Sequence, residues 1–402
     1  MKKALVFTAV LLLLISASSF GTETRVLTMG DNNLVLLDDA NIWLFPSRVF
    51  EYSNLAVGEF SNQGGNDFTQ FGIHWKFGSD NPMVFGTYFT DLPAEEPGDL
   101  AGGDLVPFDT TLLNNRRIDF FYGNELGDFK FGSRFSIYCS GQEWDEATPA
   151  IDQSKELFRY LDFDFGLTPS SGSWDLAVNV AFGTWTDEGV DGQAETEPDG
   201  FTEMSVLGRH FWQRGPDYTF VPHVSFFHLK RGIINHVVDA DPGTTEDLID
   251  NYTLTGFDLG FGLNYTPASN VLAVCDLGFL YEKWKHERQD NLASTSGEET
   301  FSSTSLPYFK IGLDADVFKW MDIRLGATSY WTMEATEDRG ANNEFKSKSA
   351  DNETYLGFGF HWGRLQVDTY TDPQVFLNGF DFISGNGAGN MNFRISALYE
   401  MM

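Results

Sequence analysis

The chain has 402 residues and a formal net charge of −32, which excludes a protein that binds nucleic acid through attraction to phosphates. Aromatic residues make up 15% of the chain and glycine occurs 40 times, whereas apolar residues reach only 42%. Many aromatic residues without long apolar runs indicate a surface that meets an apolar medium on one side and water on the other.

Residues 1–21 are predicted to be a secretory signal peptide. Lys2 and Lys3 precede an apolar stretch over residues 4–15, and small residues then offer cleavage after Ser18 or Gly21. The stretch is too short to cross a bilayer as a helix, and no later apolar stretch in the sequence is long enough. We therefore expect an exported chain.

Residues 22–53 lack regular periodicity and are predicted to be a unit separate from the remainder, residues 54–402. Their apolar side chains, such as Ile42, Trp43 and Phe45, are too many for a free tail. They need a surface to cover.

From residue 54 onward, apolar side chains recur at every second position, most clearly over residues 253–281. Between Thr253 and Tyr265 large side chains alternate with small or charged ones, residues 266–270 form a turn, and the alternation resumes as far as Tyr281. This period is typical of a β-strand and cannot keep an α-helix on one face. Strands of about ten residues closed by Tyr or Trp fit tilted strands that cross a bilayer.

The alternation predicts sixteen strands, at 54–61, 68–78, 83–91, 115–124, 128–140, 156–167, 173–186, 201–212, 217–230, 252–266, 270–284, 305–318, 320–333, 353–363, 364–372 and 391–402. Short turns alternate with long polar loops at 92–114, 141–154, 187–199, 231–250, 287–303, 334–352 and 373–390. This arrangement predicts an all-β fold, an antiparallel transmembrane β-barrel in the outer membrane of a Gram-negative bacterium. A barrel of fourteen strands is the alternative.

Most of the acidic excess lies in the long loops, as in 187–199 and 239–250. A solvated surface is the simplest interpretation. Bridging to lipopolysaccharide through divalent cations, or enrichment of cations at a pore mouth, are the alternatives. The expected partners are outer-membrane lipid, lipopolysaccharide and the barrel-assembly machinery, with a homo-oligomer left open and no nucleic acid.

Charged residues that alternate with apolar neighbours in the predicted strands are expected to face the lumen, because a charge on the lipid face near the membrane centre costs about 2–4 kcal/mol. The predicted pore-lining residues are Arg117, Asp119, Lys130, Arg134, Asp162, Asp164, Asp258, Asp276, Lys310, Asp314, Asp322, Arg324 and Arg394. A barrel of this size is too wide for side chains alone to fill, so an open pore is favoured over a closed network of ion pairs.

The sequence contains neither a Gly-x-Ser-x-Gly elbow nor a His-Glu-x-x-His metal motif. His210, His223 and His228 fall on neighbouring predicted strands, but no partner serine is identified. We expect no enzymatic activity, no cofactor and no metal site.

Residues 22–53 resemble a known family through Arg25-x-Leu27-x-Met29-Gly30, Asp38-Asp39-Ala40 and Phe45-Pro46-Ser47. The pattern is similar to the start of the long-chain fatty-acid transporter-like outer-membrane barrels, and to uncharacterised outer-membrane proteins with the same Leu-Leu-Asp-Asp and Phe-Pro. It departs from that family at Phe45-Pro46-Ser47, where Asn-Pro-Ala is usual, and the family commonly has fourteen strands.

The resemblance implies that residues 22–53, here called the hatch segment, fold into the lumen as a plug beside which hydrophobic cargo passes. Its predicted plug residues are Asp38, Asp39, Trp43, Phe45 and Pro46. We expect the two aspartates to accept hydrogen bonds from lumen arginines such as Arg134 or Arg324. The expected function is a porin-like channel or passive transporter for small or hydrophobic solutes. A structural or adhesive barrel with a plugged lumen is the alternative.

Overall fold

The computed structural model describes residues 22–63, 66–79, 81–92, 115–144, 154–188, 195–238, 245–290, 295–338, 343–371 and 393–401. The predicted signal peptide and most of the expected loops at 92–114 and 373–390 lie outside these residues. Within the described ranges, no helix has the length and apolar character needed to cross a membrane.

Sixteen antiparallel strands form a closed barrel, each pairing with the next in sequence, and the last pairs with the first. The strands are β1 Leu55–Gln63, β2 Asn66–Phe77, β3 Met83–Leu92, β4 Asn115–Leu126, β5 Phe129–Trp144, β6 Ser154–Pro169, β7 Trp174–Glu188, β8 Glu195–His210, β9 Tyr218–Val238, β10 Thr245–Ala268, β11 Val271–Asp290, β12 Thr295–Phe318, β13 Met321–Asp338, β14 Asn343–Trp362, β15 Leu365–Thr371 and β16 Phe393–Glu400. The two residues Trp212–Gln213 continue β8 beyond a break at Phe211. The predicted all-β barrel of sixteen strands is confirmed.

The outer wall is apolar along the strands that showed the clearest alternation. Leu259, Phe261 and Leu277 are 47–52% exposed there. Gly262 and Asp276, paired on the same two strands, are buried on the inner side. Since a band of exposed Leu and Phe around a whole barrel is unfavourable in water, this band faces lipid.

Large apolar side chains at other alternating positions of β10, β12 and β13 share this register. Phe309, Ile311, Leu313 and Leu325 are exposed on the outer wall, and Phe257, Leu263 and Ile323 are partly exposed.

Aromatic residues form a row on the outer wall beside the short turns. Phe318, Trp320, Phe360 and Trp362 stack in sequence, with ring centroids 5.6, 6.2 and 5.7 Å apart. Such girdles lie at the membrane–water interface of outer-membrane barrels. Closed backbone pairing leaves no strand edge in lipid, as a membrane requires. The chain is therefore an outer-membrane β-barrel, with its short turns at the periplasmic end and its long loops at the opposite, loop end.

Strands β9 to β14 are longer than predicted, which corrects the expected loop boundaries. β10 and β12 have 24 residues each, whereas β15 has 7. The expected loops at 231–250, 287–303 and 334–352 are therefore mostly strand. Beyond the membrane neither face of a strand meets lipid, so the backbone ladder continues there without the apolar alternation that marks it in the sequence.

The hatch segment lies inside the barrel, as predicted. It contains the helix α1 Glu23–Thr28 and two 3₁₀ helices, Asp39–Trp43 and Pro46–Phe50. Asp38 caps the first 3₁₀ helix by accepting a hydrogen bond from the amide of Ala40. Several apolar side chains of this segment, including Val35 and Val49, are fully buried against the wall, whereas Leu37 is 45% exposed. Docking inside the barrel removes these buried side chains from water, which a free tail could not do.

Candidate functional site

The inner wall carries glycine where the hatch segment approaches it most closely. A Cβ added at Gly132 would lie 2.2 Å from the carbonyl carbon of Pro46, and one at Gly326 would lie 2.3 Å from the amide nitrogen of Gly30. Any side chain at these positions would displace the hatch backbone. The other inner-wall glycines in such contact with the hatch segment are Gly123, Gly166, Gly262, Gly312 and Gly357.

Arg209 on β8 is the wall residue that binds the hatch segment most extensively. Its Nε donates to Asp175 at 2.7 Å and its Nη2 donates to the side-chain oxygen of Asn41 at 2.8 Å. Its Nη1 also donates to the carbonyl oxygens of Asn33, Leu34 and Leu36, at 2.9–3.1 Å. Its guanidinium lies 4.3 Å from the ring centre of the plug residue Phe45. One fully buried arginine thus holds a stretch of hatch backbone that has no regular structure of its own.

The expected partners of Asp38 and Asp39 were wrong. Asp38 binds Arg25 of the hatch segment itself, at 2.5 Å, and Arg25 also reaches Asp314 of the wall at 3.0 Å. Helix α1 brings Arg25 to Asp38 from nearby in the sequence.

The two wall arginines are already paired within the wall. Arg134 lies opposite Asp164 and Arg324 opposite Asp314 in the strand register, and each forms an ion pair with that neighbour. Arg134 also binds Asp162, and Arg324 also binds Asp322 and Asp368. Neither arginine therefore needs an aspartate of the hatch segment.

Asp39 is buried, and its Oδ1 accepts no hydrogen bond from any described residue. Burial, together with the nearby carboxylates of Asp38, Asp368 and Glu59, raises the pKa of Asp39 well above its usual range. The environment therefore favours the protonated acid. Two adjacent aspartates of the hatch segment thus have opposite electrostatic surroundings.

Trp43, another predicted plug residue, packs edge-on against Tyr88 and Phe121, with centroids 4.8 and 5.1 Å apart. The guanidinium groups of Arg117 and Arg134 lie 4.9 and 5.5 Å from its ring centre. Trp43 thereby joins the apolar and the charged parts of the hatch interface.

All the predicted pore-lining residues face the lumen, mostly in ion pairs. Arg117 binds Asp119 at 2.8 Å, and Lys130 binds Glu51 of the hatch segment at 2.7 Å. Arg394 binds Glu59 at 3.1 Å and also Glu23 of the hatch segment. At the level of the hatch segment the lumen is packed rather than open, so a conducting role for these residues stays a prediction.

A cavity of about 340 Å³ lies directly on the loop side of the hatch segment. Hatch residues Leu34, Trp43 and Leu44 form its floor. Of the predicted pore-lining residues it includes Arg134, Asp164, Asp258, Asp276 and Lys310. This volume is in the range of small-molecule sites, so the cavity is the candidate functional site.

Several residues of the cavity and of the hatch interface were not predicted from the sequence. Glu203 lines the cavity and lies between Thr202 and Met204, so a weaker alternation signal was present. Arg209 lies between Gly208 and His210, where neither neighbour is apolar, and the pattern gave no signal. The other lining residues that were missed include Asp31, Asn179, Tyr308 and Tyr330.

An apolar cluster on the inner face of β5 to β11 borders the cavity, and its members Leu229 and Leu254 also line it. The cluster consists of Tyr138, Tyr160, Ala181, Phe201, Leu229, Leu254 and Trp284, here called the aromatic layer. Tyr160 makes edge contacts with Tyr138 and Phe201, at centroid distances of 4.7 and 5.0 Å.

The three histidines do not converge on one site. His223 faces the lumen and lies 3.0 Å from Asp276, whereas His210 is exposed and His228 bonds Thr255 at 2.9 Å. The described carboxylates that could approach a single ion are Asp314, Asp316 and Asp322. Arg324 already pairs with the first and the last of these, which makes an added cation less favourable.

No protein-family model matches the chain. No curated protein matches it either. Among solved structures, the chain is similar to the monoaromatic hydrocarbon channel CymD, with 8% identity, a TM-score of 0.42 and coverage of 96% of this chain and 99% of that chain. It is similar to the toluene transporter TbuX of Ralstonia pickettii, with 8% identity, a TM-score of 0.41 and coverage of 95% and 98%.

The ferric yersiniabactin uptake receptor FyuA of Yersinia pestis gives 7% identity, a TM-score of 0.41 and coverage of 87% of this chain and 80% of that chain. Likenesses this distant assign no function, so the function has to be inferred from the hatch segment and the cavity.

Proposed function

We propose that the chain is a passive outer-membrane transporter for small, partly apolar solutes, and that the hatch segment is its gate. The observation that carries the proposal is the cavity of about 340 Å³ that is lined by the hatch segment and by part of the aromatic layer. Such a compartment gives a solute a place to bind midway through the lumen. A barrel with a purely structural role has no need of it.

The ion pairs of the wall favour a hatch segment that can move, because most of them do not depend on it. The wall arginines keep wall partners without it: Arg324 has Asp322 and Asp368, and Arg134 has Asp162 and Asp164. Release of the hatch segment therefore leaves few buried charges of the wall without a partner, which is the main cost of breaking such networks.

The number of buried polar contacts around the hatch segment favours a second candidate function, a structural or adhesive barrel whose lumen stays closed. Arg25, Arg48 and Arg209 all join hatch and wall through buried ion pairs or hydrogen bonds. The two functions differ in whether solute crosses the barrel when the hatch segment is free to move.

A reversible crosslink between hatch and wall tests the proposal. The hydroxyl oxygens of Ser47 and Thr168 are 2.7 Å apart, close enough for Ser47→Cys and Thr168→Cys to form a disulfide. Cys139→Ser and Cys275→Ser remove the native thiols. In a liposome-swelling assay we expect solute entry to stop when the pair is oxidised and to resume on reduction.

The Ser47→Cys single variant serves as the control, because it should be unaffected by redox state. Equal entry in the oxidised and reduced proteins would show that the hatch segment is not the gate. Entry in neither state, with the barrel folded, would favour the structural barrel.

A further inference from the structure

We propose that the cavity selects a small organic cation, a protonated amine with an apolar body, over a carboxylate of the same size. This inference rests on the proposed transport function in that it names the class of solute. It is drawn from the charge balance of the cavity, from acceptors that lack a donor, and from the apolar surface beside them.

The cavity lining carries more negative than positive charge. Its carboxylates are Asp31, Asp164, Glu203, Asp258 and Asp276, and its cationic side chains are Arg134 and Lys310. Lys310 binds Asp31 at 3.1 Å, and Arg134 binds Asp164 at 2.6 Å. Each cation is therefore already paired with a carboxylate, and an anionic solute would meet uncompensated negative charge at the remaining three carboxylates.

Three carboxylates of the lining have no lysine or arginine within ion-pair distance among the described residues. Glu203 accepts a hydrogen bond from the Tyr160 hydroxyl at 3.0 Å, and Asp258 accepts one from the Tyr308 hydroxyl at 3.0 Å. The third, Asp276, lies 3.0 Å from the His223 imidazole. Carboxylates removed from bulk water without a cation are unfavourable, and a bound ammonium group would compensate them.

Buried polar atoms at the cavity also lack a donor. Asn179 lines the cavity and is 8% exposed, and its Oδ1 accepts no hydrogen bond from the residues that the structure describes. Its amide nitrogen donates to Asp162 and to Asp164, which fixes the orientation of the side chain. Glu282 lies outside the cavity lining but follows the lining residue Leu280 on the same face of β11, and its buried Oε1 also accepts no hydrogen bond from the described residues. Both atoms are acceptors, and a ligand with N–H groups in the cavity would satisfy the one on Asn179.

Apolar side chains also line the cavity, and they would receive the body of the solute. Leu34 and Leu44 of the hatch segment lie across the cavity from wall residues that include Leu207, Phe227 and Leu280. A hydrocarbon or aromatic group placed there loses contact with water, which favours binding independently of charge. The hatch segment contributes part of this surface, so its movement would also change the affinity for the solute.

Three probes of similar size and different charge test the inference on the full-length protein in detergent by calorimetry at neutral pH. We expect 2-phenylethylamine, which is cationic, to bind at least about tenfold more tightly than neutral 2-phenylethanol, and anionic phenylacetate to bind more weakly still. Equal affinity for the amine and the alcohol, or tighter binding of phenylacetate, would overturn the proposal. This comparison needs no substitution and so does not depend on the folding of a variant.

Charge-removing substitutions locate the site. The Glu203→Gln, Asp258→Asn double variant should lose about tenfold or more in affinity for the amine. The matched control is Glu125→Gln, at an exposed position beside a short turn and outside the cavity lining, and it should bind as the wild type does. Retained amine affinity in the folded double variant would contradict the assignment to this cavity.

The entry of neutral arabinose into liposomes separates this inference from the transport proposal. If the sugar enters but calorimetry shows no preference for the amine, the transport proposal is supported and the cation site is rejected. Preferential binding of the amine without entry of any solute would support the cation site and reject the transporter.

Discussion

At the scale of single residues, the hatch segment combines a paired and an unpaired aspartate at adjacent positions. Asp38 binds Arg25 and caps a 3₁₀ helix, whereas Asp39 is buried among carboxylates. Alternation in the sequence could predict which wall charges face inward. It could not predict the partners of Asp38 and Asp39, because these depend on where helix α1 places Arg25 inside the barrel.

Asp39→Asn should hold the hatch segment more tightly at neutral pH. Because the pKa of Asp39 is raised when the segment is docked, the docked state binds a proton that the released state does not. Docking is therefore favoured at acidic pH and weakens as the pH rises from the ordinary aspartate pKa through the raised value. The Asp39→Asn substitution removes the contribution of this carboxyl group to the pH dependence of docking. Trypsin cleavage after Arg25 and Arg48, followed over a pH series, measures the release of the segment.

The matched control is Asp38→Asn, which removes the ion pair with Arg25 and should speed cleavage at neutral pH. Breaking a buried pair by removing one partner costs about 3–5 kcal/mol. If the two substitutions changed cleavage in the same direction, the assigned environments of the two aspartates would be incorrect.

At the scale of elements, the contact between the hatch segment and the strands depends on glycine in the inner wall. The sequence shows many glycines in the strands, but only the path of the hatch segment reveals which of them are in contact with it. Gly132 and Gly166 receive residues 46 and 47, and Gly312 and Gly326 receive residues 28–30. No local pattern distinguishes these glycines from those at turns.

Gly132→Ala should weaken docking of the hatch segment, because its Cβ would fall 2.2 Å from the backbone of Pro46. Crowding of a packed interface by one methyl group costs about 1–3 kcal/mol. The control is Gly208→Ala, where the nearest atoms are 3.8–3.9 Å from the added Cβ. Faster trypsin cleavage of the hatch segment in the first variant alone is expected, and equal rates in both would show that Gly132 does not seat the segment.

At the scale of the whole molecule, the sequence predicted the barrel and its strand number because lipid on one side imposes alternation on every crossing. The same reason explains the missed ends of β9 to β14, where lipid is absent and the apolar alternation is lost. The cavity could be anticipated only in part, since Arg134, Asp258 and Lys310 were predicted to face inward but the floor formed by the hatch segment was not located.

Leu259→Arg should impair insertion of the barrel, because the side chain is 52% exposed on the lipid-facing wall. An arginine near the membrane centre costs about 2–4 kcal/mol there. Asn264 on the inner side donates a hydrogen bond to the carbonyl of Val35 and is a poor control. Ser225→Arg, at a side chain that lines the cavity, is the better comparison. Urea unfolding in lipid vesicles measures both, and equal loss in both would contradict the assigned faces.

The central claim, that the hatch segment closes a barrel able to conduct, is tested most directly by deleting residues 22–47 and recording conductance in a planar lipid bilayer. The barrel should remain folded, because ion pairs such as Arg394 with Glu59 and Arg324 with Asp368 lie within the wall. We expect stable stepwise conductance well above that of the intact chain. A truncated barrel that conducts no more than the intact chain, or that fails to fold, would contradict the account.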